Sequence, residues 1–381
     1  MTEQEKIALA EDPDTPADVL IQLADDDAYN MTYTIARHRN APESLLNKLA
    51  DDESCYVRGE IVKHPNIPVS LLEKLADDRH YYVRSEIAKH HDTPESLLVK
   101  LTDDEYWEVR LAVARNPNAP LSLLAKLADD DATDVRYTVA KNPNSPLLLL
   151  VKLADDEDKV IRCVVAKHAN TPKSLLIKLA DDEDVDVRCA VANNPNIPEL
   201  LLTDMAIDVD ASVRIQIALH PMVTVGILEK LATDDVTEVR QRVAKNPITP
   251  ASLLKQMMGD DFMVRHALAQ NPSLSPLTLL TLAIRDEDKD VRRIALRMLK
   301  EKPASYWESA VVDGSISDTT TLGEGKDRRS LGDDLLVAGL TDLYQQLQAL
   351  LLVKKISERS TNPAFDQRQN MVATASKRLS L

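Results

Sequence analysis

The 381-residue chain carries 46 Lys and Arg against 62 Asp and Glu, a formal net charge of -16, which speaks against a nucleic-acid clamp built on a basic stripe. Its three cysteines, Cys55, Cys163 and Cys189, are too few and too far apart for a disulfide framework and point to a reducing compartment. No apolar run approaches the ~18–20 residues of a membrane span, and the N-terminal MTEQEKIALAED lacks the basic region and apolar core of a signal peptide, so a cytoplasmic protein is expected.

Taken from the N-terminus, the chain repeats itself. An arginine marker recurs at Arg58, Arg84, Arg110, Arg136, Arg162, Arg188, Arg214 and Arg240, each 26 residues after the last. It slips to Arg265 and recovers at Arg292. A leucine marker moves with it from Leu23 to Leu282, with Met205 and Met257 at two of its positions. A fixed period of this length is the signature of a solenoid. About eleven units are predicted.

Thr171–Asn196, TPKSLLIKLADDEDVDVRCAVANNPN, shows how one unit works. Thr171-Pro172 reads as an N-cap followed by proline at the first helical position. Leu175, Leu176 and Leu179 then form one apolar stripe of a short helix. The acidic, turn-prone run 181–186 leads into a second helix, whose positive end favours Asp. Val187 and Val191 lie four apart beside the small Ala190 and Ala192. Asn193-Asn194-Pro195-Asn196 closes the unit, since Asn tolerates a left-handed cap and Pro cannot continue a helix. Helices of about 8–11 residues are too short to stand alone in water, so stability has to come from stacking unit on unit.

The recurring string LLxKLADDxxxxVRxxVAKNPNxP, over about residues 13–300, resembles the leucine-rich repeat variant, a relative in style of the HEAT and armadillo solenoids. The resemblance implies an all-α, right-handed helical-repeat solenoid of about eleven 26-residue two-helix units. It also implies a binding scaffold and no catalytic activity. One member of that family carries an iron–sulfur cluster on N-terminal cysteines; this chain has no C-x-x-C, so no cofactor is expected.

Most of the conspicuous residues follow the period, as structural residues do. Lys48, Lys74, Lys100, Lys126, Lys152, Lys178 and Lys230 should form one basic row, and Lys63, Lys89, Arg115, Lys141, Lys167 and Lys245 another. Residues 1–302 nonetheless hold 37 Lys and Arg against 52 Asp and Glu, and solvated helix faces are the plainer reading. The marker arginine invites a phosphate-binding role, but an ion-pair ladder between units fits its repetition better. For Arg188 the candidate partners are Asp181 and Asp182. His38, His64, His90, His168 and His220 stand where other units have Asn, which reads as a helix C-terminal cap rather than a metal ligand. Cys163 and Cys189 share one repeat position and read as buried small hydrophobes. No nucleophile elbow, zinc-protease helix, P-loop or dinucleotide fingerprint occurs. Neither a catalytic nor a metal site is predicted.

The departures from the period say more. Just before the marker arginine most units are polar, yet the N-terminal units place Tyr56, then Tyr81 and Tyr82, then Tyr106 and Trp107 there, with Tyr29 and Tyr33 nearby. Of nine Tyr, two Trp and two Phe in the chain, seven aromatics fall between 29 and 107. Such a row is either a partner-binding edge or packing that fills gaps between layers.

Beyond residue 302 the pattern stops. Residues 303–332 are expected to be a flexible linker, on the Gly, Ser and Thr of DGSISDTTTLGEGKDRRSLG. Residues 333–381 should hold a C-terminal helix from Asp333 to Ile356 and a disordered polar tail from Arg359. Leu336, Leu340, Leu343, Leu347 and Leu350 make a short heptad seam, suited to docking on the chain's own solenoid, to self-association or to another protein. The favoured function is a non-enzymatic protein-interaction scaffold in a bacterial cytoplasm, gripping a protein or peptide along its surface. Its expected anchors are Tyr56, Tyr81, Tyr82, Tyr106 and Trp107. The alternative is nucleic-acid binding through a basic row on the concave face.

Overall fold

The computed structural model describes residues 1–25, 29–323 and 327–360, with the side chains of all of these except 29, 359 and 360. The tail expected to be disordered lies outside the described residues, apart from the backbone of its first two. The chain divides into two compact units, Met1–Pro198 and Glu199–Leu381.

The first unit is a stack of helix pairs. First helices of seven residues, such as Val69–Leu75, Glu95–Leu101, Leu121–Leu127 and Leu147–Leu153, alternate with second helices such as Tyr81–Lys89, Trp107–Arg115 and Thr133–Lys141. Second helices of successive repeats pack directly on one another, while each first helix packs mainly on the second helices flanking it. The core lies between these two rows. Leu71, Leu72 and Leu75 enter it from a first helix, and Val83 and Ile87 from the second. Burying a Leu, Val or Ile side chain contributes about 1.5–3 kcal/mol, which is where helices this short find their stability.

The start of most repeats differs from the expectation by one residue, while Ser275-Pro276 follows it, the Ser275 hydroxyl accepting the Thr278 N–H. Pro172 itself is the N-cap, its carbonyl accepting from the Leu175 and Leu176 N–H groups. Thr171 faces the other way, and its hydroxyl donates to the Val165 carbonyl at 2.5 Å. Thr93 and Thr249 do the same to Ile87 and Val243. These hydroxyls serve the carbonyls left over at the end of the preceding helix. Proline needs no side-chain cap.

The ladder exists, with different partners. Arg136 donates from Nε and Nη2 to the two carboxylate oxygens of Asp156 at 2.8 and 3.1 Å. It also donates from Nη1 to the carbonyls of Asp130 and Asp131 in its own repeat, at 2.8 and 3.2 Å. The same bidentate pair joins Arg58 to Asp78, Arg84 to Asp104, Arg110 to Asp130 and Arg162 to Asp182. Asp182 therefore belongs to the arginine of the preceding repeat, and Arg188 takes only its backbone carbonyl. The first Asp of the Asp-Asp pair bonds the other way, to the lysine of the following repeat: Asp51 to Lys74 at 2.7 Å, and likewise Asp103 to Lys126 and Asp129 to Lys152.

In the second unit the same pairing holds within Arg214–Asp234, Arg240–Asp260 and Arg265–Asp286. The slip of the marker at Arg265 coincides with a 3₁₀ turn, Met257–Gly259. The last repeat pairs Pro276–Arg285 with the longer Lys289–Glu301. Residues 303–332, read as a linker, contain the helix Ala304–Val312 and a two-strand ladder of Thr321–Leu322 with Arg329–Ser330. Trp307, Ile316, Leu322 and Leu331 are buried. Four apolar anchors outweigh the polar composition, and Ser and Thr side chains satisfy the turns, as Thr320 does for the Ser317 N–H at 2.8 Å.

The C-terminal helix is broken in two, Leu331–Val337 and Thr341–Ser360, around Gly339 at φ +72°. The break rotates the heptad seam out of register. Leu335, Leu347 and Leu351 are buried, while Leu336 is exposed. The last helix packs on Ala304–Val312, which packs on Pro276–Arg285. Arg285 and the buried Asp334, paired at 2.7 Å, pin the arrangement.

Burial opposes ionisation of Asp78, Asp130, Asp182, Asp234 and Asp260. The arginine hydrogen bonds and a backbone N–H to each outweigh it and hold all five carboxyls below their ordinary range. Carboxyls with depressed folded pKa values contribute stability above the unfolded value, near about 3.9, and lose it as pH falls through the folded values. The melting temperature should stay level from pH 7 to about pH 5 and fall steeply below about pH 4. A melt unchanged at pH 3 would contradict this.

Candidate functional site

Tyr82, the second residue of Tyr81–Lys89, lies against the second helix of the preceding repeat, Cys55–Val62. A Cβ on Gly59 would sit 2.4 Å from Tyr82 Cε1, so the ring occupies the space that this glycine leaves. Tyr82 Oη accepts from Lys63 Nζ at 3.1 Å. Lys63 also reaches Glu60 at 2.8 Å and Glu86 at 3.5 Å, and Lys89 reaches Glu86 at 2.6 Å. Burial, offset in part by Lys63, raises the Tyr82 phenol above its ordinary value. Tyr82 is a packing residue with one accessible edge.

The other aromatics extend from it in two directions. Tyr56 meets Tyr82 at a 5.6 Å centroid distance and is itself 56% exposed. Tyr81 stacks between His80 and Tyr106, at 5.0 Å from each. Tyr106 lies beside Arg84, whose guanidinium carbon is 5.5 Å from the ring centre. Tyr106 is 41% and Trp107 39% exposed. The five residues thus fall into two kinds: Tyr81 and Tyr82 half-buried, and Tyr56, Tyr106 and Trp107 presenting rings to solvent. Tyr33 is half-buried with Arg37 over its ring, and the Tyr29 side chain lies outside the described residues. The sequence reading missed Gly59, although a glycine inside a helix opposite an aromatic is a detectable signal.

Six of the seven lysines of the first basic row are neutralised, and Lys230, with Ile207 where the others find Asp, has no ion pair among the described residues. Lys48, Lys74, Lys100, Lys126, Lys152 and Lys178 each pair with an aspartate of the preceding repeat. In the second row Lys63 and Lys89 serve Glu60 and Glu86, and Lys141 lies over Tyr137. The Asn/His position acts as a cap and also as a tie between layers. Asn116 donates from Nδ2 to the Ala88 and His90 carbonyls at 2.7 and 3.2 Å, and its Oδ1 accepts the Asn118 N–H at 2.8 Å. His64 and His168 use Nε2 and Nδ1 for the same two tasks. The two side chains interchange because their paired polar atoms are similarly placed.

Cys163 and Cys189 are half-buried rather than buried, and burial raises the Cys163 thiol above its ordinary value. Among the described residues, His90, His91 and Asp92 bring possible ligand atoms within 4.8 Å of one another. His90 Nδ1 already accepts the Asp92 N–H at 3.2 Å, and His91 pairs with the Asp92 carboxylate at 3.1 Å.

The family profile described as "Leucine rich repeat variant" matches residues 107–132, one whole unit of the period that recurs along the chain. That one unit matches the leucine-rich repeat variant profile, and its neighbours share the same period. A solved leucine-rich repeat variant "with a novel repetitive protein structural motif" is 28% identical, over 57% of this chain and 85% of its own, at a TM-score of 0.48. Computationally designed armadillo repeat proteins for modular peptide recognition align at 16% identity over 74% of this chain and 98% of theirs, with a TM-score of 0.12. No curated protein matches. No helix among the described residues is long and apolar enough to cross a membrane.

The effect of Gly59→Ala should reverse sign with its neighbour. In the wild type the collision with Tyr82 should destabilise by about 1–3 kcal/mol. In a Tyr82→Ala background the same change should stabilise by up to about 1 kcal/mol, the helix preference for Ala over Gly. Urea melts of the four proteins read both values. Equal effects in the two backgrounds would show that the ring does not occupy that space.

Proposed function

We propose that the protein is a non-enzymatic interaction scaffold of a bacterial cytoplasm, gripping a protein or peptide partner along its helical repeats. Tyr56, Tyr106 and Trp107 are the primary anchors, with Tyr81 and Tyr82 holding them in place. The observation that carries the reading is the exposure of three large rings on one short run of repeats, backed by stacked and half-buried neighbours. Rigid aromatics of this kind supply contact area at little cost in conformational entropy, and hot spots are enriched in them. A nucleic-acid partner is not favoured, because aspartates already neutralise six of the seven lysines of the more regular row.

Retention of the native partner from lysate tests the reading. Single alanine substitutions at Tyr56, Tyr106 and Trp107 should each weaken retention by about 30-fold or more, the hot-spot range near 2 kcal/mol. Nuclease should change nothing, and circular dichroism should stay as in the wild type. Full retention by the triple variant would remove the aromatic edge from the interface. Loss of the partner on nuclease treatment would replace the protein partner with nucleic acid.

A further inference from the structure

The arginine ladder has an open end in the first unit. Arg58, Arg84, Arg110, Arg136 and Arg162 each insert a guanidinium against the carboxylate found 20 residues later in the next repeat. Counting back one period, residue 32 is Thr. The carboxylate it would face is Asp52. Asp52 Oδ1 accepts the Ser54 N–H at 2.8 Å, just as Asp78 accepts from His80 and Asp104 from Tyr106. Those two carboxylates also hold an arginine; the Asp52 carboxylate accepts from no side chain among the described residues.

The next residue repeats the pattern. In several layers the acid after the ladder aspartate gives the guanidinium a second carboxylate, as Asp131 does for Arg110 at 2.5 Å and Asp235 for Arg214 at 3.0 Å. Here that residue is Glu53. A cavity of about 750 Å³ stands at this place, its wall including Thr32, Lys48, Asp51, Asp52, Glu53 and Ser54. The adjoining lysines are committed elsewhere, Lys48 to Asp25 and Lys74 to Asp51. The cavity wall therefore keeps the charge of two carboxylates.

We propose that this cavity is a binding site for a guanidinium group, filled by an arginine side chain of the partner. The chain itself supplies the precedent, since eight copies of the same seat in the two units hold a guanidinium by two parallel N–H···O bonds. That fork matches arginine and not lysine, whose ammonium is a single point donor. The partner segment bound here contains an exposed arginine and completes the ladder in place of the missing one. The proposal rests on the scaffold reading for the identity of the ligand's bearer, but the seat is testable without the partner.

The test uses the full chain and three probes: Nα-acetyl-arginine amide, Nα-acetyl-lysine amide and the neutral isostere Nα-acetyl-citrulline amide. Binding is followed by NMR titration at low ionic strength. The arginine probe should bind saturably, with the other two weaker by about tenfold or more, the range of a charge-assisted hydrogen bond. Asp52→Asn should weaken the arginine probe by a similar factor. Thr32→Arg, which gives the seat an arginine of its own, should abolish binding and raise the melting temperature. Trp107→Ala should leave the probe's affinity unchanged, so a failed aromatic edge and a failed seat give different results. Equal binding of the arginine and lysine probes, no saturable binding to the wild type, or undiminished binding to Asp52→Asn would overturn the proposal.

Discussion

In the first unit, each interface between repeats from Arg58 to Asp182 is held by two ion pairs of opposite polarity. An arginine of one layer reaches forward to the second aspartate of the next, and that next layer's lysine reaches back to the first aspartate of the one before. Arg58–Asp78 and Asp51–Lys74 show the crossing within a single interface. The buried pair, with Arg58 and Asp78 side chains each 5% exposed, is costly to desolvate and adds little net stability by itself. Its consequence is direction. A layer turned over or slipped would bring like charges together and leave a buried guanidinium unmatched, which costs far more than the pair contributes. Apolar burial holds the layers together, and the crossed pairs decide which way they face.

Around that frame the remaining polar groups are assigned with little left over. Asn and His side chains tie the end of one second helix to the turn of the layer before it. Thr and Ser hydroxyls take the last carbonyls of the second helix, and proline opens the first helix without needing a cap. A set of obligations this complete explains why so much of each repeat is fixed. It also explains why a substitution at one place, Thr32 for arginine, stands out as a change in chemistry rather than as drift.

The sequence made the repeat legible because period, proline placement and apolar stripe are all local properties. It named the residue types of the ladder but gave Asp182 to Arg188 instead of Arg162, since the printed rungs join residues 20 apart and no local pattern reveals that. Residues 303–332 misled for a related reason. Their composition is that of a linker, while their structure depends on four scattered apolar residues meeting a helix and a strand ladder. The heptad seam failed at Gly339, where a positive φ breaks the helix. Of the aromatic edge, the sequence gathered the five residues and could not divide them. That division required knowing that Gly59 leaves room for the Tyr82 ring, while Tyr56, Tyr106 and Trp107 stay exposed.

The most direct test of this account is a double-mutant cycle across one rung, Arg136→Met and Asp156→Asn, with urea melts of the wild type, both single variants and the double. Asn keeps the acceptor for the Asp158 N–H, so the cycle isolates the charge pair. The account predicts that each single change is strongly destabilising and that the double is less so than their sum, with a coupling energy of about 1–3 kcal/mol. Additivity to within about 0.5 kcal/mol would mean that the rungs do not couple adjacent layers, and that the direction of stacking comes from packing alone.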